Sequence, residues 1–400
     1  MSNHQSRNKG TEGETFVHDL ASESFLKFWC FPNPFDMEGD KKEICDLLIV
    51  FKDTLIICSV KNYEFKGDHD RYFRKTIEKA VKQISGTERK IFDSNRDIKI
   101  IHPERGEFTL FPSNYTTVLR LIVNLGEGID FYPLSESTKR DAEITILDKE
   151  SFEAIMQELN TISDLVHYLK ERQALISHYE RLNIIGSERD LLAYYLTNAR
   201  SFPTDFIRED IDVMLLELDE KWQEYDNSEQ VKAKREADDI SYFVDGLVKN
   251  EVLKFDGGEL IAKELMSLNR LHRRAFAEAF INLIKTHEKK SERFIGRRHI
   301  EIEGIEYIFI YFSPDWSDEQ LFNLMELAAN GMFIYQGETP KKYIIVGSTR
   351  NVSRFVMGLW EIENIDDVER KEVQKRLEVL GWFKNLEGVR FSGKEYPDIN

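Results

Sequence analysis

The residues best suited to chemistry sit inside a greasy stretch, "EICDLLIVFKDTLIICSVKN", Glu43 to Asn62, which reads as two apolar strands around a short polar turn. Asp46 interrupts the first strand and Lys61 closes the second. An ion left in such a place without a partner is costly, so the two are either satisfied structurally as a salt bridge or they do chemistry. On one sheet face, a carboxylate beside a lysine is what metal-assisted phosphodiester hydrolysis needs. The carboxylate holds a hard Mg²⁺ (or Mn²⁺) through oxygen, while the ammonium orients or activates the attacking water and offsets phosphate charge.

Whether the two share a face depends on the turn. Side chains alternate along a strand, so Asp46 goes with Ile44, Leu48 and Val50, and Ser59 and Lys61 go with Leu55 and Ile57. A hairpin closed over Lys52-Asp53, or over a four-residue loop from Phe51 to Thr54, sets Asp46 opposite Ser59 and leaves Lys61 diagonal to it on the same face. An odd loop splits them. Upstream, "TEGETFVHDLASESFLKFW" spaces Phe16, Val17, Leu20, Ala21 and Phe25 as a helix, following a polar tail of about ten residues expected to be mobile. Glu14 lies three residues before Val17, which aims it toward the packed face; the competing reading is an exposed first-turn glutamate favoured by the helix dipole. Downstream, "DRYFRKTIEKAVKQISGTERKIF" reads as one long helix, with Phe73, Ile77, Ala80, Val81 and Ile84 as its apolar stripe.

Further β-rich pieces, "IKIIHPERGEFTLFP", "TTVLRLIVNLGE" and "EITILD", and a helix after them complete a mixed α/β unit over residues 1–175. Residues 176–290 carry mostly helical pattern, including "FIREDIDVMLLELDEKWQEY", and suit a linker or oligomerisation region. Residues 291–400, with a hairpin over Glu303 and Gly304, read as a smaller α/β domain for sensing or interaction. The fold class expected is therefore α/β: an N-terminal mixed sheet flanked by helices, a helical middle region and a small C-terminal α/β domain. Apolar runs such as "LLIVF" fall far short of the ~20 residues of a membrane helix. The first residues lack a signal peptide's apolar core, so a cytoplasmic location and no membrane are expected. Cys30, Cys45 and Cys58 have no CxxC spacing, which argues against a disulfide framework or a zinc site. A formal net charge of -17 repels polyanions on average, so any nucleic-acid role needs a local basic surface. The run containing Arg71, Arg74, Lys75, Lys79, Lys82, Arg89, Lys90 and Arg96 is such a surface, or else only a solvated helix face.

Together "GTEGETFVHDL", "WCFPNPFD", "EICDLLIVF", "IICSVKN" and "KAVKQISG" resemble the core of the PD-(D/E)XK, or restriction-endonuclease-like, nuclease superfamily in its bacterial defence-associated form. The resemblance is close over the first hundred or so residues and looser to residue 175. It implies Asp46 as metal ligand, Lys61 as catalytic lysine, Glu14 assisting the metal, the Val60 carbonyl as a further ligand, and Lys79 and Gln83 near the scissile phosphate. Lys82 and Arg74 extend the expected DNA-binding surface. Ser59 departs from the pattern, standing where the family has Glu, Gln or Asp, and a hydroxyl binds Mg²⁺ far less strongly than a carboxylate. Glu43 compensates only if its strand is bulged. The resemblance implies a metal-dependent DNA endonuclease, the effector of an antiphage or restriction-type defence system, acting as a homo-oligomer and with a partner protein of that system. The alternative is a catalytically weak nuclease-fold subunit that binds nucleic acid or scaffolds a complex.

Overall fold

The hairpin forms with the even turn. In a computed structural model, which describes residues 2–25, 27–128, 135–138, 142–178, 182–203, 208–210, 213–287, 295–349, 354–383 and 394–399, β2 (Leu47–Phe51) and β3 (Thr54–Lys61) run antiparallel around Lys52-Asp53. Both strands are buried along their whole length, as near-continuous Leu, Ile and Val runs require. They belong to a six-stranded mixed sheet with β1 (Cys30–Pro32), β6 (Thr117–Asn124), β7 (Ser135–Ser137) and β8 (Glu143–Asp148), in the order β1-β2-β3-β6-β8-β7. β3, β6 and β8 are parallel neighbours, and the other pairings are antiparallel. A separate hairpin, β4 (Ile98–His102) with β5 (Gly106–Leu110), stands beside it in the sequence order expected.

Helices cover both faces. Leu48, Val50, Leu55 and Ile57 share a core with Ile77, Ala80 and Ile84 of α3 (Ile77–Phe92). The alternate residues face α1 (Ser2–Phe25), whose Ser22 hydroxyl is bonded to the Cys30 thiol. The thiol is buried and its pKa is pushed up to about 12, as expected of a small core residue. α1 begins at Ser2, where a mobile tail was expected, because a polar stretch without proline is compatible with helix. The long second helix is two: α2 (His69–Lys75) ends at Thr76, at φ -103° and ψ -79°, whose N–H and hydroxyl both bond the Tyr72 carbonyl. After β8 come α4 (Lys149–Glu158) and α5 (Ile162–His178), with Arg172 of α5 fully buried against Glu188.

The chain divides into two compact units, Met1–Val231 and Lys232–Asn400. That division falls inside the stretch 176–290 read as one region, and the boundary expected near 290 lies in residues 288–294, outside those described. Nor is the middle purely helical. β9 (Leu182–Ile185), β10 (Arg208–Asp210) and β11 (Val213–Glu217) form a three-stranded sheet, interleaved with α6 (Glu188–Thr197) and followed by α7 (Lys221–Asn227). The segment "DVMLLEL" satisfies helical and strand periods alike, and parallel pairing with β9 decides it.

α8 (Glu229–Asp238) contains the division; after it, in the second unit, α9 (Tyr242–Asn250), α10 (Gly258–Ser267) and α11 (Arg270–His287) precede a four-stranded sheet of β12 (Gly296–Ile302), β13 (Ile305–Tyr311), β14 (Lys341–Ser348) and β15 (Phe355–Ile362). Its hairpin turns over Glu303 and Gly304, both at positive φ, as the sequence suggested. β15 was not read from the sequence. α12 (Asp318–Tyr335) and α13 (Asp367–Leu380) pack on one face around Ile308, Ile310, Tyr343 and Ile345. No helix among the described residues is long and apolar enough to cross a membrane.

Candidate active site

Because β2 and β3 pair Leu47 with Cys58, the next pair outward is Asp46 with Ser59, and the side chains meet. Ser59 Oγ lies 3.1 Å from Asp46 Oδ2, and the Val60 N–H donates to the same oxygen at 2.5 Å. Lys61 Nζ donates to Ser59 Oγ at 2.9 Å and to the Val60 carbonyl at 2.8 Å, and stands 3.5 Å from Asp46 Oδ2. With Asp46 7% and Lys61 5% exposed, each is the other's counter-ion in a nearly dry setting. Burial depresses the Lys61 pKa, Asp46 resists that, and Lys79 adds to it.

α3 completes this face. Gln83 Oε1 lies 3.2 Å from Ser59 Oγ, so the single hydroxyl proton is shared between Asp46 and Gln83 as alternatives. Lys79, expected nearby, is close enough to act on Lys61 electrostatically. Lys82 and Arg74 are not in the polar cluster. Lys82 pairs with Glu78 at 3.7 Å, Arg74 Nε donates to the Asp70 carbonyl at 3.2 Å, and both are exposed together with Arg71, Lys75 and Lys79. They form a basic surface on α2 and α3.

Two further carboxyls approach Asp46. Glu14 on α1 is half-buried, accepts from Asn33 Nδ2 at 3.4 Å, and has its pKa raised by lost hydration and by the Asp46 charge. α1 comes this close because Gly13 has no side chain: a Cβ there would touch Leu125 and Asn62 at 3.0 to 3.2 Å. Glu43 is the residue strand alternation placed wrongly. The chain before β2 is not a continuous strand. An isolated bridge joins Phe35 to Glu43, the Thr87 hydroxyl donates to the Ile44 carbonyl, and Lys90 Nζ bonds Asp40 Oδ1 at 2.8 Å and the Glu43 carbonyl at 3.4 Å. Turned in this way, the Glu43 carboxyl hydrogen-bonds Asp46. Although Glu43 keeps an exposed flank, lost hydration and then the Asp46 and Glu14 charges push its pKa up to about 7.

The parallel strands also align a polar row that periodicity did not single out. Lys61 on β3 is level with Asn124 on β6, and Asn124 with Asp148 on β8, all at the carboxyl ends where open α/β sheets bind ligands. Asn124 is buried and exchanges hydrogen bonds with the Tyr72 hydroxyl at 2.9 to 3.0 Å. His18, His69 and His102 lie elsewhere, in bonds to Ser22, in aromatic stacking and in a bond to the Lys27 carbonyl.

The oxygens of Asp46, Glu14, Glu43 and the Val60 carbonyl are of the hard type that Mg²⁺ and Mn²⁺ accept, and Asn33 Oδ1 is buried without a hydrogen-bond partner. Among the described residues, however, no group of three or more His, Cys, Asp or Glu side chains is arranged to hold a metal ion. The Val60 carbonyl is engaged by the Lys61 ammonium. No protein-family model matches the chain, and no curated protein or solved structure matches it.

Proposed function

We propose that the Asp46–Lys61 face is the catalytic centre of a metal-dependent endonuclease acting on DNA. The convergence of Asp46, Ser59, Lys61 and Gln83 on one end of the parallel strands is the observation that carries this reading. Asp46, Glu14 and the Val60 carbonyl would hold Mg²⁺ or Mn²⁺, with Glu43 able to add a carboxylate where Ser59 offers only a hydroxyl. Such an ion, when bound, lowers the pKa of water and stabilises charge on the leaving oxygen.

The chain's own residues do the rest. Lys61, held by Ser59 and desolvated, presents an ammonium whose proton is easier to release than that of a lysine in water, which suits it to orient water beside a phosphate and to offset phosphate charge. Gln83 fixes the Ser59 hydroxyl and so the Lys61 amine. Exposed Arg71, Arg74, Lys75, Lys79 and Lys82 engage the phosphate backbone. A role in bacterial defence, with a partner protein and self-assembly, belongs to the same proposal.

The test is plasmid cleavage by the purified protein with Mg²⁺ or Mn²⁺, beside Lys61→Ala. Nicking or linearisation by the wild type and its loss in the variant are expected. Cleavage that survives in Lys61→Ala refutes the site, and DNA binding without cleavage under either metal favours the binding-module reading.

A further inference from the structure

Lys61 makes its contacts with oxygens that a metal ion would use. Its Nζ donates to the Val60 carbonyl at 2.8 Å and to Ser59 Oγ at 2.9 Å, and stands 3.5 Å from Asp46 Oδ2. An ammonium carries three protons and one compact charge, so two protons are given away and the charge faces the Asp46 carboxylate. Two of the three groups assigned to the ion, Asp46 and the Val60 carbonyl, are therefore served already by a cation of the chain's own. The third, Glu14, is half-buried on α1 and also feels the Lys61 charge.

The lysine is held in that position by its neighbours. Ser59 Oγ, which accepts from Lys61, lies 3.1 Å from Asp46 Oδ2 and 3.2 Å from Gln83 Oε1, so the hydroxyl is anchored to Asp46 and to α3 at once. The Val60 N–H, donating to the same Asp46 oxygen, fixes the residue whose carbonyl Lys61 engages. Asp46 and Lys61 are both buried, so little water screens them, and a divalent ion arriving at these oxygens is opposed by the ammonium already there. Among the described residues, Asp46, Glu14 and Glu43 are correspondingly not arranged as a cage for an ion. A carboxylate whose charge is balanced by a bonded lysine has no need to gather others around it.

We propose that Lys61 is an internal competitor for the divalent cation: at rest it closes the site on Asp46 and Val60, and it gives up the Val60 carbonyl, pivoting about Ser59, as the ion is taken. This rests on the reading of the face as a metal site and adds its regulation, since the exchange makes the site respond to divalent cation concentration. The test is binding of Mn²⁺ alone to the full chain without DNA, read from the electron paramagnetic resonance of free Mn²⁺. Lys61→Met is expected to bind about tenfold or more tightly than the wild type, the size of effect that removing one close like charge produces. Lys61→Arg, which keeps the charge, stays near the wild type, and Lys61→Met combined with Asp46→Asn loses the gain. In the wild type, where folding is not in question, the ammonium resonance of Lys61, assigned by its loss in Lys61→Arg, should shift on Mg²⁺ titration with the midpoint of Mg²⁺ binding. Equal or weaker Mn²⁺ binding by Lys61→Met, or a Lys61 resonance unmoved at saturating Mg²⁺, overturns the competition and leaves the metal site standing. Absence of Mn²⁺ binding in the wild type and every variant overturns both.

Discussion

Ser59 is the hinge of the site at the scale of single residues. Its hydroxyl accepts from Lys61 and donates toward Asp46 or Gln83, so it ties the charged pair together where a carboxylate would add a third negative group. Ser59→Asp therefore sets like charges side by side in a buried place and, in chelator, lowers stability by about 2 kcal/mol. Mn²⁺ should restore more of the melting temperature in this variant than in the wild type, which thermal melts with and without metal will show. Lys61→Met removes the counter-ion of Asp46 and leaves it the Val60 N–H, Ser59 and the Glu43 carboxyl, a loss of about 3 kcal/mol, and pairing it with Asp46→Asn recovers most of that in urea unfolding. Glu43 gives a pH signature. Its folded-state pKa of about 7 lies above the ordinary 4.5, so the folded state binds the extra proton between those values and stability falls as pH rises through that window. Urea midpoints of the wild type should therefore decline between pH 5 and pH 8, and Glu43→Gln should flatten that decline.

Elements explain why some of this was legible in the sequence. The parity of the Lys52-Asp53 turn and period-two alternation suffice to put Asp46, Ser59 and Lys61 on one face, because both are local. The basic residues of α2 and α3 were legible too, but which of them reach the site was not. Gln83 meets Ser59 while Lys82 points to solvent, a difference set by how α3 rolls on Leu55 and Ile57. Glu43 was misplaced because its approach depends on Thr87 and Lys90, whose hold on residues 40–44 spans more than forty positions. The break at Thr76, the strands β10 and β11, and β15 were hidden for the same reason, since pairing partners chose between periods that the local pattern left open. The loop after β6 is a further tertiary constraint. A Cβ at Gly126 would overlap the Tyr63 carbonyl and the Tyr72 hydroxyl, so Gly126→Ala should cost about 1–3 kcal/mol in urea unfolding and, by disturbing the Tyr72–Asn124 pair level with Lys61, reduce cleavage as well.

At the scale of the whole molecule, the candidate catalytic residues all lie within Met1–Val231. A fragment of residues 1–231 is therefore expected to fold and to show the same Mn²⁺-dependent rise in melting temperature as is expected of the full chain. The net charge of -17 makes any DNA contact depend on the exposed basic face of α2 and α3, so affinity should fall steeply with salt. The central claim is that the Asp46–Lys61 face takes a divalent cation for phosphodiester chemistry. Anomalous scattering from crystals of the full chain soaked in Mn²⁺ tests it most directly. A peak is expected within bonding distance of an Asp46 carboxylate oxygen and the Val60 carbonyl, with Lys61 Nζ withdrawn from that carbonyl. Ordered Mn²⁺ only elsewhere, with Lys61 still bonded to Val60, would contradict it.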